Sequence, residues 1–263
     1  TLTVKGNMGY NRNIVLDVRE LNRAGSGYYY PYRKTGYAVG QRFGYLIDYS
    51  NGNGYYNSQT EINQRGLRFS GISPRPGDFM YQDLNNDGII DERDLAPADN
   101  TQALPTFAYG SSVQIEYKNF DFYLQLQGVS GTAAFYGGCG IYENAYQGVY
   151  TDLHRTAWTP ERYANNESIG YPALTTGSSS SLAPNNFFYS KNNYMRIRSL
   201  VIGYTLPQAW AGKLKMEKIR FYLSGSNLLT FTSLKFKHLD PEQFAYASYP
   251  LYRTFNIGLN LKF

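Results

Sequence analysis

Asp83, Asn85, Asp87, Asp91 and Asp94 occupy positions one, three, five, nine and twelve of a twelve-residue stretch, with Gly88 at position six. That is the spacing of an EF-hand calcium loop. Alternate oxygen-bearing side chains converge inside a tight turn, and the sharp bend at the sixth position needs a glycine. Calcium takes six to eight oxygens. The side chains of Asp83, Asn85, Asp87, Asp91 and Asp94 and the carbonyl of Ile89 would supply most of them, with Ile90 as a small apolar anchor. Asp94 stands where EF-hands carry glutamate, so its carboxylate reaches less far. Pro76-Gly77 precedes the stretch and Pro97 follows it, so no amphipathic helix flanks it on either side. The expectation is an isolated Ca2+ loop with a structural role, set against the plainer reading of a solvated acidic turn.

The remaining reactive residues point to no catalyst. His154 and His238 lie in different loops, and no nucleophile elbow, phosphate loop or zinc motif is present. Asp240 and Glu242 could form an acid/base pair, but they sit in a loop with no defined pocket, and an enzyme is not expected. Cys139 is the single cysteine, so no intramolecular disulfide can form. The 25 basic and 20 acidic residues give a net charge of +5 without any Lys/Arg run, which argues against nucleic-acid binding. Tyr28, Tyr29, Tyr30, Tyr32, Tyr55, Tyr56, Tyr142, Tyr146 and Trp158 could form stacking platforms. Loop packing and lid contacts are the preferred reading for each of them.

The elements that would position these residues are strands. The last eleven residues alternate without a break. Phe255, Ile257, Leu259, Leu261 and Phe263 share one face, and Thr254, Asn256, Gly258, Asn260 and Lys262 share the other. A strand of about ten residues, apolar outward and polar inward, is the unit of an outer-membrane β-barrel. The composition agrees. There are 27 Tyr, 15 Phe and 26 Gly with a mean hydropathy of −0.47, and no run approaches the roughly 18 apolar residues of a membrane-spanning helix. The same alternation marks Thr1–Val18, read as one long strand, then Thr106–Tyr117 and Phe120–Val129. Lys118-Asn119 joins the last two as a hairpin. Tyr194–Leu206, Lys218–Thr230 and Arg253–Phe263 complete six strands.

Three connections are long and two are short. Outer-membrane barrels place short turns in the periplasm and long loops outside. With the terminal strand running down, every long loop falls outside, provided the strand-like patch Tyr37–Tyr49 lies within the first loop. The chain shows no signal peptide, begins at Thr1 inside a strand-like pattern, and so reads as a piece of something longer.

Several segments in this order resemble the carboxy-terminal part of the SusC/RagA-type TonB-dependent transporters. They are Val39-Gly40-Gln-Arg-Phe-Gly44-Tyr45; Pro76-Gly77-Asp78 with the acidic turn; and Lys118-Asn119-Phe120-Asp121 with Gln127-Gly128-Val129. Tyr194 through Pro207, Ser224-Gly-Ser-Asn227-Leu-Leu-Thr230, Asp240-Pro241-Glu242 and Tyr249-Pro250 through Phe263 follow. The resemblance covers nearly the whole chain. It implies an all-β, antiparallel transmembrane barrel fragment of about six strands spanning 1–263, with long extracellular loops.

The resemblance further implies import of glycans or peptides across the outer membrane of a Gram-negative bacterium. TonB would supply the energy through a plug, and a SusD-like surface lipoprotein would act as a lid. The departure is one of extent, since plug and earlier strands have no counterpart among these 263 residues. Six strands cannot close, and open edges are not tolerated in lipid. The expected partners are therefore the remainder of the barrel and plug, outer-membrane lipid, the lid and the TonB complex. The alternative reading is a soluble calcium-binding glycan-binding or adhesin module.

Overall fold

The computed structural model describes residues 1–19, 34–98, 104–137, 141–142, 150–236, 239–243 and 251–263. Its principal element is one open, antiparallel sheet of seven strands. These are β1 (Leu2–Tyr10), β2 (Phe107–Tyr117), β3 (Phe120–Ser130), β4 (Tyr194–Thr205), β5 (Lys218–Ser226), β6 (Thr230–Thr232) and β7 (Thr254–Lys262). The spatial order is β1-β2-β3-β4-β5-β7, and the short β6 pairs with β4. All six expected strands are present as neighbours in chain order.

Residue pairing shows why alternation fixes the two faces. Val4 lies opposite Val113, Val113 opposite Leu124, and Leu124 opposite Leu200. One step along, Lys5, Ser112, Gln125, Ser199, Ser226 and Thr254 form a polar row across the whole sheet. The apolar face is bare: Ile257 is 87% exposed and Phe255 77%. In water such a face would be a large adhesive patch, whereas lipid satisfies it. Tyr10 and Phe107 form a ring pair at one rim, and Phe120 and Tyr204 form another at the opposite rim. The eleven residues of β2 rise about 33 Å along the strand, which a tilt of about 40° reduces to about 25 Å, the height of a barrel's apolar band.

One register change is visible in the sequence only with the structure beside it. Met195 and Ile197 face the same side as Leu200, Ile202 and Tyr204, although the two sets differ in parity. A β-bulge between Ile197 and Ser199 absorbs the extra residue, Arg198.

β1 is shorter than the expected Thr1–Val18. Tyr10 is the last residue paired, opposite Phe107; Asn11 then donates to the Thr106 carbonyl, and the chain leaves the sheet. Beyond the sheet the alternation runs on to Val18 with Arg12 and Val15 out of step, and Val15 exchanges backbone hydrogen bonds with Gly36 and Tyr37. The Tyr37–Tyr49 patch does lie within the first long loop. It contributes a two-residue strand, Phe43–Gly44, paired with Ala96–Pro97, and bridges from Tyr45 to Asn185 and from Ile47 to Tyr81.

The hydrophobic core is not in the sheet. Tyr45, Ile47, Tyr55, Phe79, Tyr81, Ile90, Tyr136, Trp158, Tyr171, Phe187, Phe188, Leu234 and Phe236 form one buried cluster drawn from the three long loops. Short capped helices stiffen this assembly. Ser58 accepts from Glu61 N at the start of α1 (Gln59–Arg65), and Gly66 ends it with φ of 66°. Thr159 caps α2 (Pro160–Ala164).

Candidate functional site

The polar face of the sheet and the loop cap above it meet at the top of β4. Arg196 is 1% exposed and lies inside a charged cluster. Its Nη2 donates to both carboxylate oxygens of Asp240, at 2.8 and 2.7 Å, and its Nη1 donates to Glu242 at 2.8 Å. Arg198 reaches the other Glu242 oxygen at 2.5 Å and also binds Gln127 and Asn227. The Tyr194 hydroxyl donates to the same Glu242 oxygen at 2.6 Å. Asn192 completes the clamp by donating to the Pro241 carbonyl at 2.8 Å. The Asp240-Pro241-Glu242 segment is therefore strapped to the polar face of β4, and its carboxylates are engaged structurally.

Lower on the same wall Arg220 pairs with Asp121 at 2.5 Å across β4. Gly203, opposite both Asp121 and Tyr222, makes room for that pair: a Cβ there would sit 2.4 Å from Asp121 Oδ1 and 2.5 Å from Arg220 Nη2. The middle of the wall, lined by Lys5, Asn7, Gly110, Ser112, Gln125 and Gln127, is a shallow hollow of about 590 Å³. Its floor of glycine, serine and amide groups suits close approach by another polypeptide or a hydrated oligomer.

The loop cap locks the first and second long loops together. Asp78, fully buried, accepts from the hydroxyls of Ser179, Ser180 and Ser181. The serine run that looks like a flexible spacer in the sequence is thus a socket for one carboxylate. His154 is buried and structural: its Nδ1 accepts from Thr151 N, and its Nε2 lies 2.9 Å from the Ile141 carbonyl. Tyr55, Tyr56 and Trp158 are all at most 6% exposed and pack inside the cap. Tyr142 donates to the Leu182 carbonyl at 2.8 Å. Tyr28, Tyr29, Tyr30, Tyr32, Tyr146, Cys139 and His238 lie outside the described residues.

The acidic turn is brought together as a closed loop. Asp83 accepts from Asp87 N and Gly88 N, Asn85 from Asp87 N, and Asp87 from Ile89 N. Asp94, buried, accepts from Leu84 N at 2.7 Å and Asp91 N at 2.9 Å. Burial raises the Asp94 carboxyl above its ordinary value, and those backbone donors oppose the rise. Asp91 is held low by the Arg93 side chain. The Arg93 guanidinium bridges Asp87 at 2.6 Å and Asp91 at 2.7 Å. Ile90 is buried in the core, as an anchor should be, and Ile89–Ile90 pairs with Arg68–Phe69. Among the described residues, no three acidic, histidine or cysteine side chains converge as a metal cage. A cation at the centre of this turn must displace Arg93 from Asp87 and Asp91.

No protein-family model matches the chain. Two curated proteins of Formosa agariphila do: TonB-dependent receptor P3 at 30% identity over 248 residues, and TonB-dependent receptor P26 at 28% over 228 residues. They cover 88% and 80% of the chain, which spans 23% and 22% of their lengths, less than a quarter of either. Among solved structures, the RagAB peptide transporter superposes with a TM-score of 0.66 and the open-open state of the RagAB peptide importer with 0.63. Both are 18% identical and match the full chain against 27% and 26% of their own.

Proposed function

Because the chain belongs to the SusC/RagA-type TonB-dependent transporters, we propose that it builds part of the wall and mouth of an outer-membrane nutrient importer. The observation that carries this reading is the sheet itself, with one apolar face bare across a band about 25 Å high, the other face polar, and, among the described residues, the long-loop cap at one end. The wall is static. The strap held by Arg196 fixes the cap to the strands, and the socket around Asp78 fixes two of its loops to each other, so that substrate meets a preformed mouth. Oligomeric cargo, glycan or peptide, would pass down the polar wall. The fold shared with the RagAB peptide importer supports peptide as the first cargo to try. A SusD-like lipoprotein would cover the cap, and the TonB complex would act through a plug packed against the polar face.

The test is uptake by cells carrying the full-length transporter. Labelled oligopeptides and oligosaccharides of matched size are offered with and without a working TonB. Accumulation of one class that collapses without TonB is expected. Equal accumulation in both strains, or a full-length protein that stays soluble without detergent, would overturn the reading.

The acidic turn enters as a second, smaller proposal. Calcium bound by Asp83, Asn85, Asp87, Asp91 and Asp94 with the Ile89 carbonyl would replace Arg93 as the counter-charge and stiffen the first loop. Calorimetric titration of the full-length protein with calcium tests it, and absence of a binding heat at millimolar calcium would remove it.

A further inference from the structure

The short connection between β4 and β5 carries an amphipathic surface that the transport reading leaves unused. After Pro207 the chain makes one helical turn, α3 (Gln208–Ala211), and then a 3₁₀ turn, Gly212–Leu214. Ala211 is fully buried, and the turn is closed by Met216 N donating to the Ala211 carbonyl. α3 packs against β5. Ile219, on the apolar face of β5, is 4% exposed, whereas Phe221 and Leu223 on the same face are 49% and 54% exposed. The connection therefore folds back over the apolar side of the sheet. There it leaves Trp210 67% and Leu214 62% exposed, beside Lys213 and Lys215. Neither lysine has an acidic partner among the described residues; Glu217, the nearest carboxylate in sequence, is taken by Lys262 at 2.7 Å. Lys118 in the neighbouring hairpin turn adds a further positive charge at this rim, over the ring of Tyr117.

We propose that residues 207–217 form an interfacial anchor that seats Trp210 and Leu214 among lipid headgroups and holds anionic phospholipid with Lys213 and Lys215. The inference rests on the membrane-embedded reading above. Two observations select lipid as the occupant. The patch is continuous with the bare apolar face, so one medium covers both. Its charge is unbalanced and positive, which complements an anionic leaflet. Indole is suited to the headgroup level, apolar over most of its surface and a hydrogen-bond donor at one edge. The turn lies beside the Phe120–Tyr204 ring pair, at the rim opposite the loop cap.

The experiment uses the full-length transporter in nanodiscs, either of phosphatidylcholine alone or with phosphatidylglycerol. Lipids brominated near the headgroup quench indole fluorescence, and subtracting the Trp210→Phe signal isolates Trp210. Quenching of that component is expected. Loss of preferential phosphatidylglycerol retention in a Lys213→Gln/Lys215→Gln variant, read by native mass spectrometry, is expected with it. A Trp210 component untouched by brominated lipid but quenched by aqueous iodide would show that the turn faces water or another protein, and would overturn the proposal. Unchanged phosphatidylglycerol retention in the double variant would overturn the headgroup assignment. A Leu259→Trp reporter on the apolar face separates the two readings. If it is quenched by deeply brominated lipid while Trp210 is not, only the anchor fails; if neither is quenched, the membrane reading itself fails.

Discussion

Replacing Arg196 with methionine should release the Asp240–Glu242 strap while leaving the sheet intact. The guanidinium makes three charged hydrogen bonds to the strap, and its side chain is 1% exposed. Removing one member of a buried ion pair costs about 3–5 kcal/mol, because the partner charge is left without compensation. Here the partners are not fully buried: the Asp240 and Glu242 side chains are 19% and 17% exposed, and Glu242 keeps Arg198 and Tyr194. The lower end, about 3 kcal/mol, is therefore expected, a factor on the order of a hundred in the local opening equilibrium. Hydrogen exchange of the full-length transporter in nanodiscs reads this directly as faster exchange across 239–243, with β3 and β4 unchanged. Combining Arg196→Met with Asp240→Asn should recover about 1–3 kcal/mol of coupling, since both changes remove the same contact. Unchanged exchange in the single variant, or strict additivity in the double variant, would refute the clamp.

Three further outcomes follow from the same geometry. Asp87→Ala should speed exchange across 83–94 and leave the strands unaffected, and any calcium-binding heat should disappear with it; slower exchange in the variant would contradict the closed-loop account. Deleting Phe263, 84% exposed at the chain end, removes only about 2–3 kcal/mol of apolar burial even in lipid. The full-length protein should therefore lose no more stability than that in nanodiscs, and a larger loss would show packing that an exposed ring does not have. Lys235 lies 3.3 Å above the Phe187 ring, and desolvation lowers its ammonium from 10.5 to about 8. A folded-state value below the unfolded one means that the cost of holding the charge is full below pH 8 and relieved as pH rises toward 10.5. Lys235→Met should therefore tighten the cap most at neutral pH, with the gain shrinking as the pH rises; a gain that grows with pH would contradict this.

The strands were legible because a strand with one apolar and one polar neighbour must alternate, and alternation survives in the letters. It could not show where pairing stops. Ile14, Leu16 and Val18 carry the apolar parity of β1 onward, yet this segment has left the sheet, and Val15 bonds to Gly36 and Tyr37 instead. Nor could it show the bulge at Arg198, which appears in the sequence as a parity slip and in the structure as the source of the second arginine on Glu242. The cap was the least legible part. Its core is built from aromatics with no period, brought together from loops more than a hundred residues apart, so no window of sequence contains the pattern. The resemblance marked Asp240-Pro241-Glu242, and the excess of tyrosine was the remaining clue. Neither says that Arg196 closes the strap, because that contact depends on how β4 meets the third loop. The spacing of the acidic turn was readable in full. What it missed was Arg93, inside the motif, as a competing cation.

The two outer edges of this sheet should be joined to strands outside these residues. In lipid each unpaired backbone group costs several kcal/mol, so two bare edges would exceed the 5–15 kcal/mol stability of an ordinary domain. Hydrogen exchange of the full-length transporter in nanodiscs, read at Leu2–Tyr10 and Thr254–Lys262, tests this. Protection equal to that of Tyr194–Thr205, which is paired on both sides, is the predicted result. Rapid exchange along either edge strand in the folded transporter would contradict the account.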